Sequence, residues 1–417
     1  MIDLHAPTPL LAGLSPHTFM RRHWQKRPLL VRGAWPGVQP PATRAELYAL
    51  AAQEGVQARL VVREANGEGV DAWRVRHGPL PRRALPPVRR PGWTLLVQGL
   101  DLHRPAAHAM LAPFRFVPAA RLDDLMASWA SEGGGVGPHA DSYDVFLLQV
   151  AGRRRWRVAP PGDGAFLPGL PLKILRRFEP VHDWLLEPGD MLYLPPGWGH
   201  DGVAEGGECI TCSVGFRAPS AAELARELLQ RLADVAGEAG EAGEATEAGD
   251  EDGDEDDGAG DAHRRAAAAK LYADASQPAT ASPGAVPEAL QRFAARALAA
   301  ALRDPQALPR ALGELLSEPK AQVWFEGGRP LPAGAGVRLD VRTRMLHDAR
   351  HIYINGESYR AAGRDARLLR RLADGGRLAG AELAQLSADA LGCLRQWAEA
   401  GWVRAESPRP RGRTKET

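Results

Sequence analysis

Cysteine is scarce. The 417 residues hold three, Cys209, Cys212 and Cys393, too few for a disulfide framework. No run of about 18 apolar residues occurs, so no membrane-spanning helix is expected. The opening residues, Met-Ile-Asp-Leu-His-Ala-Pro, show no basic stretch followed by an apolar one, so no secretory leader is expected either. A reducing cytoplasm is the setting these absences suggest. The length leaves room for two or three domains with a sizeable core. Basic charge is missing locally: residues 238–261 carry twelve acids and no base, so with a net charge of +1 the rest of the chain stands at +13. A basic body suits docking on an anionic surface such as a nucleoprotein; an arginine-rich composition with no such partner gives the same balance.

The first third of the chain alternates helix and strand signals. Ser15-Pro16 reads as cap and first residue of a helix over 15–26, and Thr43 caps a second over 43–53. Residues 28–32 and 93–98 read as strands, 106–111 as a helix. Residues 60–63 and 72–76 form a hairpin across Asn66-Gly67. From Leu122 to Pro219, short strands separated by Gly/Pro turns give the pattern of an antiparallel sandwich or barrel, and a double-stranded β-helix fits the count. Helical spacing resumes at 222–232. The acidic stretch 237–262 lacks core-forming residues and is expected to be disordered. Helices follow at 263–275, 287–302 and 305–317. Residues 319–406 read as a small α/β module with a hairpin at 351–359, helices at 364–373, 380–386 and 388–400 and a closing strand, which suggests a winged helix. A basic tail, 407–417, ends the chain.

Within the barrel region stand His139-Ala140-Asp141 and, after 58 further residues, His200. On a strand, residues i and i+2 share a face, so His139 and Asp141 present an imidazole and a carboxylate together. A second histidine completes a two-His-one-carboxylate set with one side open, the arrangement of non-haem Fe(II) oxygenases. The bare tripeptide is weak, and a pair of surface histidines at a barrel rim is the competing reading. Gly133 to Pro138 before one histidine and Pro195 to Gly199 before the other strengthen the metal reading, because rigid turns at strand ends are where functional groups are mounted.

In Gly152 to Val158, alternation groups Arg154 with Trp156 and Val158. An apolar face carries Arg154 inward, where a buried anion must balance it; the alternative is that all these arginines reach water. Ser128 is placed to assist. Cys209-Ile-Thr-Cys212 falls in an expected strand, where the two thiols point to opposite faces, which disfavours a redox or zinc role. Trp24, Trp73 and Trp93 are expected in the core.

Several runs resemble one family: Phe19 with Trp24 to Leu30, Arg121 to Met126, Gly133 to Phe146, Gly152 to Val158 and Val214 to Pro219. The chain is similar along its whole length to the bacterial ribosomal oxygenases of the JmjC/cupin superfamily. That resemblance implies an α+β protein with a JmjC jelly roll over 1–219, a helical dimerisation region over 220–318 and a winged-helix domain over 319–406. It implies an Fe(II)- and 2-oxoglutarate-dependent, O2-consuming protein hydroxylase, with iron on His139, Asp141 and His200 and the far carboxylate of 2-oxoglutarate on Arg154. Similar bacterial members act on the β-carbon of an arginine in a large-subunit ribosomal protein, the one numbered sixteen. The acidic insert departs from the family pattern.

Around the substrate the resemblance places Asp124, Met126 and Tyr143. A carboxylate would pair with a guanidinium while a thioether and a ring flank its plane, which suits arginine better than histidine; simple core filling is the other reading of Met126. Ser213, on the face of Cys209 and Thr211, is left between substrate contact and none. Rival readings are a histidine hydroxylase, a lysine demethylase and a DNA-binding regulator with a cupin sensor. The last is disfavoured because the candidate recognition helix, Ser387 to Trp397, has little positive charge. A homodimer and a ribosomal protein substrate are the expected partners, without DNA or membrane.

Overall fold

The computed structural model describes residues 2–64, 72–245, 272 and 286–406. Helix α1 (Pro16–Arg22) starts where expected: Ser15 Oγ accepts the Thr18 amide at 3.2 Å, and Pro16 takes the first turn, where a missing N–H loses nothing. Helix α2 (Arg44–Ala51) opens with a capping box between Thr43 and Glu46, and two short helices follow, α3 (Leu100–His103) and α4 (Pro105–Ala109).

Twelve strands form two antiparallel sheets. They are β1 (Leu29–Val31), β2 (Ala58–Glu64), β3 (Ala72–His77), β4 (Trp93–Val97), β5 (Leu122–Ala130), β6 (His139–Ala140), β7 (Asp144–Ala151), β8 (Arg154–Ala159), β9 (His182–Leu186), β10 (Met191–Leu194), β11 (Gly199–Ala204) and β12 (Cys209–Phe216). The large sheet runs β1-β10-β7-β12-β5-β4-β2-β3, the small one β6-β11-β8-β9.

β7 shows why its sequence does not alternate. Phe146, Leu148 and Val150 join a core with Phe19, Trp24 and Leu47, on the side of the N-terminal helices. Val145 and Leu147 join Trp156, Val158, Leu186, Leu192 and Leu194, which come from both sheets and fill the barrel. A strand covered on both faces is apolar throughout, and each such side chain contributes about 1.5–3 kcal/mol by burial.

Trp24 and Trp93 are buried as expected. Trp73 is only half-buried, because β3 is the outer strand of its sheet; the Arg63 guanidinium covers its ring at 5.8 Å. Cys209 and Cys212 are free and buried in different clusters, so β12 does send them to opposite faces.

The described residues fall into two compact units. One joins the chain up to Ala218 with Pro319–Thr343 and the part from Asp374 on; the other joins Pro219–Glu318 with Arg344–Ala373. The first therefore holds the two barrel sheets and a three-stranded sheet of Gly336–Leu339, Arg377–Leu378 and Val403–Glu406. The second holds helices α5 (Ala221–Ala245), α6 (Glu288–Ala301) and α7 (Ala307–Ser317), with a meander of Met345–His347, His351–Ile354 and Glu357–Arg360. The expected Asn355-Gly356 turn is present, both residues at positive φ.

Two expectations shift here. A boundary at 319 would separate α7 from the meander, yet Gly313 of α7 lies so close to Tyr353 that an added Cβ would stand 2.2 Å from the ring. Disorder was expected from 237, but α5 continues to Ala245, since repeated Ala and Glu sustain a helix despite interspersed glycines. Residues 246–262, the expected helix 263–275 apart from residue 272, the Asn66-Gly67 turn and the tail 407–417 lie outside the described residues.

Candidate metal centre

The pairing of β6 with β11 sets His139 directly opposite His200. Asp141 follows two residues after His139. One ligand atom from each of the three lies within 4.8 Å of the others, with His200 Nε2 3.6 Å from Asp141 Oδ2 and the imidazole centroids 4.2 Å apart. Each ring donates its Nδ1–H to a backbone carbonyl two residues earlier: His139 to Gly137 O at 2.9 Å, His200 to Trp198 O at 3.0 Å. That turns both Nε2 atoms toward the metal position, the nitrogen a metal would take. Burial first, then the neighbouring His139, pushes the His200 pKa down to about 4, against the pull of Asp141. His200 is thus neutral at pH 7. Two imidazoles and one carboxylate on one side of a point, with the other side facing a cavity, fit a non-haem Fe(II) ion.

The next strand inward supplies a cation. On β8, Arg155 and Arg157 point out and pair with Glu205 (2.6 Å) and Asp201 (2.5 Å). Arg154 points in and is 4% exposed. Its Nη1 donates to Ser128 Oγ at 3.2 Å and its Nε to Cys209 Sγ at 3.4 Å, while Nη2 is buried with no hydrogen-bond partner. A guanidinium so enclosed calls for an anion, and a carboxylate oxygen fits the vacant donor. The chain's own residues therefore suit both groups, a metal and an acidic cosubstrate. Trp156 lines the same cavity; it fits because residue 202 is glycine, where a Cβ would come within 2.6 Å of its ring.

A cavity of about 440 Å³ joins these parts. His139, Asp141, His200, Arg154, Ser128, Met126, Tyr143 and Ser213 all line it. Burial, and then Asp141, raises the Tyr143 pKa, so its hydroxyl keeps its proton and can donate. Asp124 is not part of this lining. Its Oδ2 accepts from the Gly99 amide at 2.9 Å and from Lys320 Nζ at 3.1 Å, and Lys320 also reaches Asp123 at 3.1 Å. Burial raises the Asp124 pKa while Lys320 opposes the rise. The sequence reading has no sign of Lys320, which is 196 residues away. It also misses Arg59, Gln98 and Lys173 in the cavity wall. Alternation with Val61 marks Arg59 as inward-facing once β2 is recognised; Lys173 sits in a loop and carries no such mark.

Comparison with known proteins bears on this geometry. Residues 109–224 match the JmjC domain model and residues 300–404 the ROXA-like winged helix model. The ribosomal protein uL16 3-hydroxylase of Escherichia coli K12 is 42% identical over 218 residues, 52% of this chain and 55% of that protein. A probable ribosomal oxygenase of Haemophilus influenzae is 37% identical over 214 residues, 51% of this chain and 52% of that one. The chain thus spans about half the length of the curated relatives it matches. Among solved structures, Escherichia coli YcfD superposes with a TM-score of 0.73 at 29% identity, covering 94% of this chain and 98% of that one. A structure of YcfD, a ribosomal oxygenase, in complex with cobalt and 2-oxoglutarate gives 0.71 at 29% identity, with 94% and 99% covered. The winged-helix match begins before α7, in accord with the packing of that helix on the meander. The facing histidines thus lie within a stretch that matches a JmjC domain, the chain closes in a ROXA-like winged helix, and as a whole it is similar to the bacterial ribosomal oxygenases.

Proposed function

We propose that the protein is an Fe(II)- and 2-oxoglutarate-dependent hydroxylase that adds one oxygen to the β-carbon of an arginine in ribosomal protein uL16. The observation that carries this reading is the three-residue ligand set sharing one cavity with a buried, incompletely paired guanidinium. The relative named as a uL16 3-hydroxylase, and the cobalt and 2-oxoglutarate held by YcfD, support it.

In this reading His139, Asp141 and His200 hold the iron, and Arg154 with Ser128 grips the far carboxylate of 2-oxoglutarate. Bound there, iron and cosubstrate use O2 to hydroxylate an unactivated C–H bond, with succinate and CO2 as the other products. The protein's part is orientation and exclusion of water. Tyr143 and Met126 flank the substrate side chain, with Ser213 beside it. Asp124, outside the cavity lining and held by Gly99 and Lys320, is given no substrate contact in this reading.

The test is mass spectrometry of a uL16 peptide incubated with the protein, Fe(II), 2-oxoglutarate and O2. One added oxygen on an arginine supports the assignment. The same gain on histidine in another ribosomal peptide would move the protein to the sister activity.

Two further parts of the reading concern assembly and place. Leu229 of α5 and Leu290 and Leu298 of α6 are exposed on amphipathic helices, which suits a homodimer formed through this region. A monomeric mass by light scattering at micromolar concentration would count against it. The helix Ala388–Glu399 carries one base, Arg395, and two acids, Asp389 and Glu399, so no direct DNA binding is proposed. No described helix is long and apolar enough to cross a membrane, and a cytoplasmic location follows from a ribosomal substrate.

A further inference from the structure

A second cavity, of about 280 Å³, lies along the same wall as the metal cavity. Gln98, at the end of β4, belongs to both linings. The wall is continuous for a structural reason. β2 and β4 pair from Val62↔Trp93 to Ala58↔Val97, and the ladder extends one step further through the Gln98 amide to Gln57 O at 2.9 Å. Residues two apart in extended chain share a face. Val61 and Arg59 line the metal cavity; Gln57, next in the same alternation, lines the second, joined there by Gly55 and Val56 from the turn before β2.

We infer that the second cavity is a subsite for the stretch of substrate polypeptide flanking the hydroxylated residue, an inference that rests on the hydroxylase reading above. From Val61 to Gln57 the extended wall runs about 13 Å, the length of about four residues of extended peptide.

The chemistry of the lining suits a peptide backbone with an apolar side chain. Gln53, Gln57, Gln98 and Gln322 offer amides that both donate and accept, which matches alternating N–H and C=O groups. Trp324 stands over Gly55, where a Cβ would meet the indole at 3.5 Å, and is 63% exposed, the most exposed tryptophan among the large apolar side chains of the described residues. An exposed indole beside amides is a typical anchor for an apolar residue of a partner. In the wall of the metal cavity, Arg59 has a buried Nε with no hydrogen-bond partner, a donor suited to a carbonyl of the bound chain. The lining contains no acid, and its Lys320 and Arg342 are already paired, with Asp123 and Asp124 and with Asp340, so the occupant needs no charge here; the reacting side chain goes to the metal cavity and its neighbours go to this one.

The test compares two uL16 peptides centred on the modified arginine, one extending about eight residues each way and one about two, chosen so that only the longer fills the wall at 3.3 Å per residue. With the full-length enzyme, the ratio of kcat/KM for the long peptide to that for the short one should fall about tenfold in Trp324→Ala, the loss expected of an interface tryptophan, and be largely restored by Trp324→Phe. Calorimetry with the long peptide should show the same loss in Kd. Because Trp324 is exposed, its truncation leaves the core intact. Hydroxylation of both peptides with an unchanged ratio in Trp324→Ala overturns the subsite alone. A wild-type enzyme that hydroxylates neither peptide overturns the reaction assigned to it and the subsite together.

Discussion

Replacing Arg154 by alanine isolates the cosubstrate site from the metal site. Arg154 is nearly fully buried, gives one N–H to Ser128 and leaves Nη2 unpaired. A carboxylate that completes this guanidinium forms a buried, charge-assisted pair, and removing one member of such a pair costs about 3 kcal/mol. At 1.4 kcal/mol per decade, the 2-oxoglutarate KM should rise about 100-fold. Metal affinity should change little, because none of the three metal-binding side chains is altered. Without cosubstrate the buried cation is itself uncompensated, so the variant should lose only about 1 kcal/mol of stability or less. Arg155→Ala is the control: one residue along, it faces Glu205 and Asp183 in solvent, and exposed ion pairs are worth about 0–1 kcal/mol. The assay is succinate formation at varied 2-oxoglutarate, with Co(II) titration for the metal. A KM unchanged in Arg154→Ala, or shifted equally in Arg155→Ala, would falsify the assignment and the alternation argument behind it.

Asp141→Ala should reduce turnover to about 1% or less and weaken Co(II) binding by at least tenfold, as loss of one of three protein ligands requires; near-normal Co(II) affinity would remove Asp141 from the ligand set. Gly202→Ala forces a methyl against Trp156 and should destabilise by about 1–3 kcal/mol, seen as a lower denaturation midpoint; an unchanged midpoint would mean the ring moves freely. Asp101, which accepts the Leu125 amide at 2.8 Å, has its pKa raised to about 6 by burial, with Asp124 adding to the rise. The folded state therefore binds more protons than the unfolded one between about pH 4 and 6, and stability from this group is lost as pH rises through that window. Asp101→Asn, which keeps an acceptor, should gain stability relative to wild type at pH 7.5 and gain least at pH 4; a larger gain in acid would reverse the argument.

What could be read in the sequence was whatever a short window determines. Ser15-Pro16 and Thr43 with Glu46 cap their helices through bonds three residues long. Alternation on β8 separates Arg154 from Arg155 and Arg157 because that strand has one wet face and one dry face. β7 offers no such contrast, since both of its faces are covered. Most of the site residues stand on strands whose facing was legible, so one cavity gathers them. Asp124 escaped this reasoning because its partner, Lys320, comes from a distant segment. Arg59 and Gln98 escaped it because their place depends on β4 pairing with β5 and β2 with β4, an order no local pattern encodes. The boundary at 319 moved for the same reason: the contact of Gly313 with Tyr353 joins two segments that each look complete alone.

The strand carrying His139 is two residues long, lies at the outer edge of its sheet, and is held by β11 alone. Arg154, by contrast, sits on a strand flanked on both sides. The two halves of the centre therefore differ in mechanical robustness. The anion-binding half is built into the barrel and persists as long as the barrel does. The other half depends on a short hem that a divalent ion would stitch down, cross-linking His139 and Asp141 to His200. Local opening of the segment around His139 should then be the first motion that a chelator releases, and hydrogen exchange in 133–143 should accelerate on metal removal while β8 stays protected.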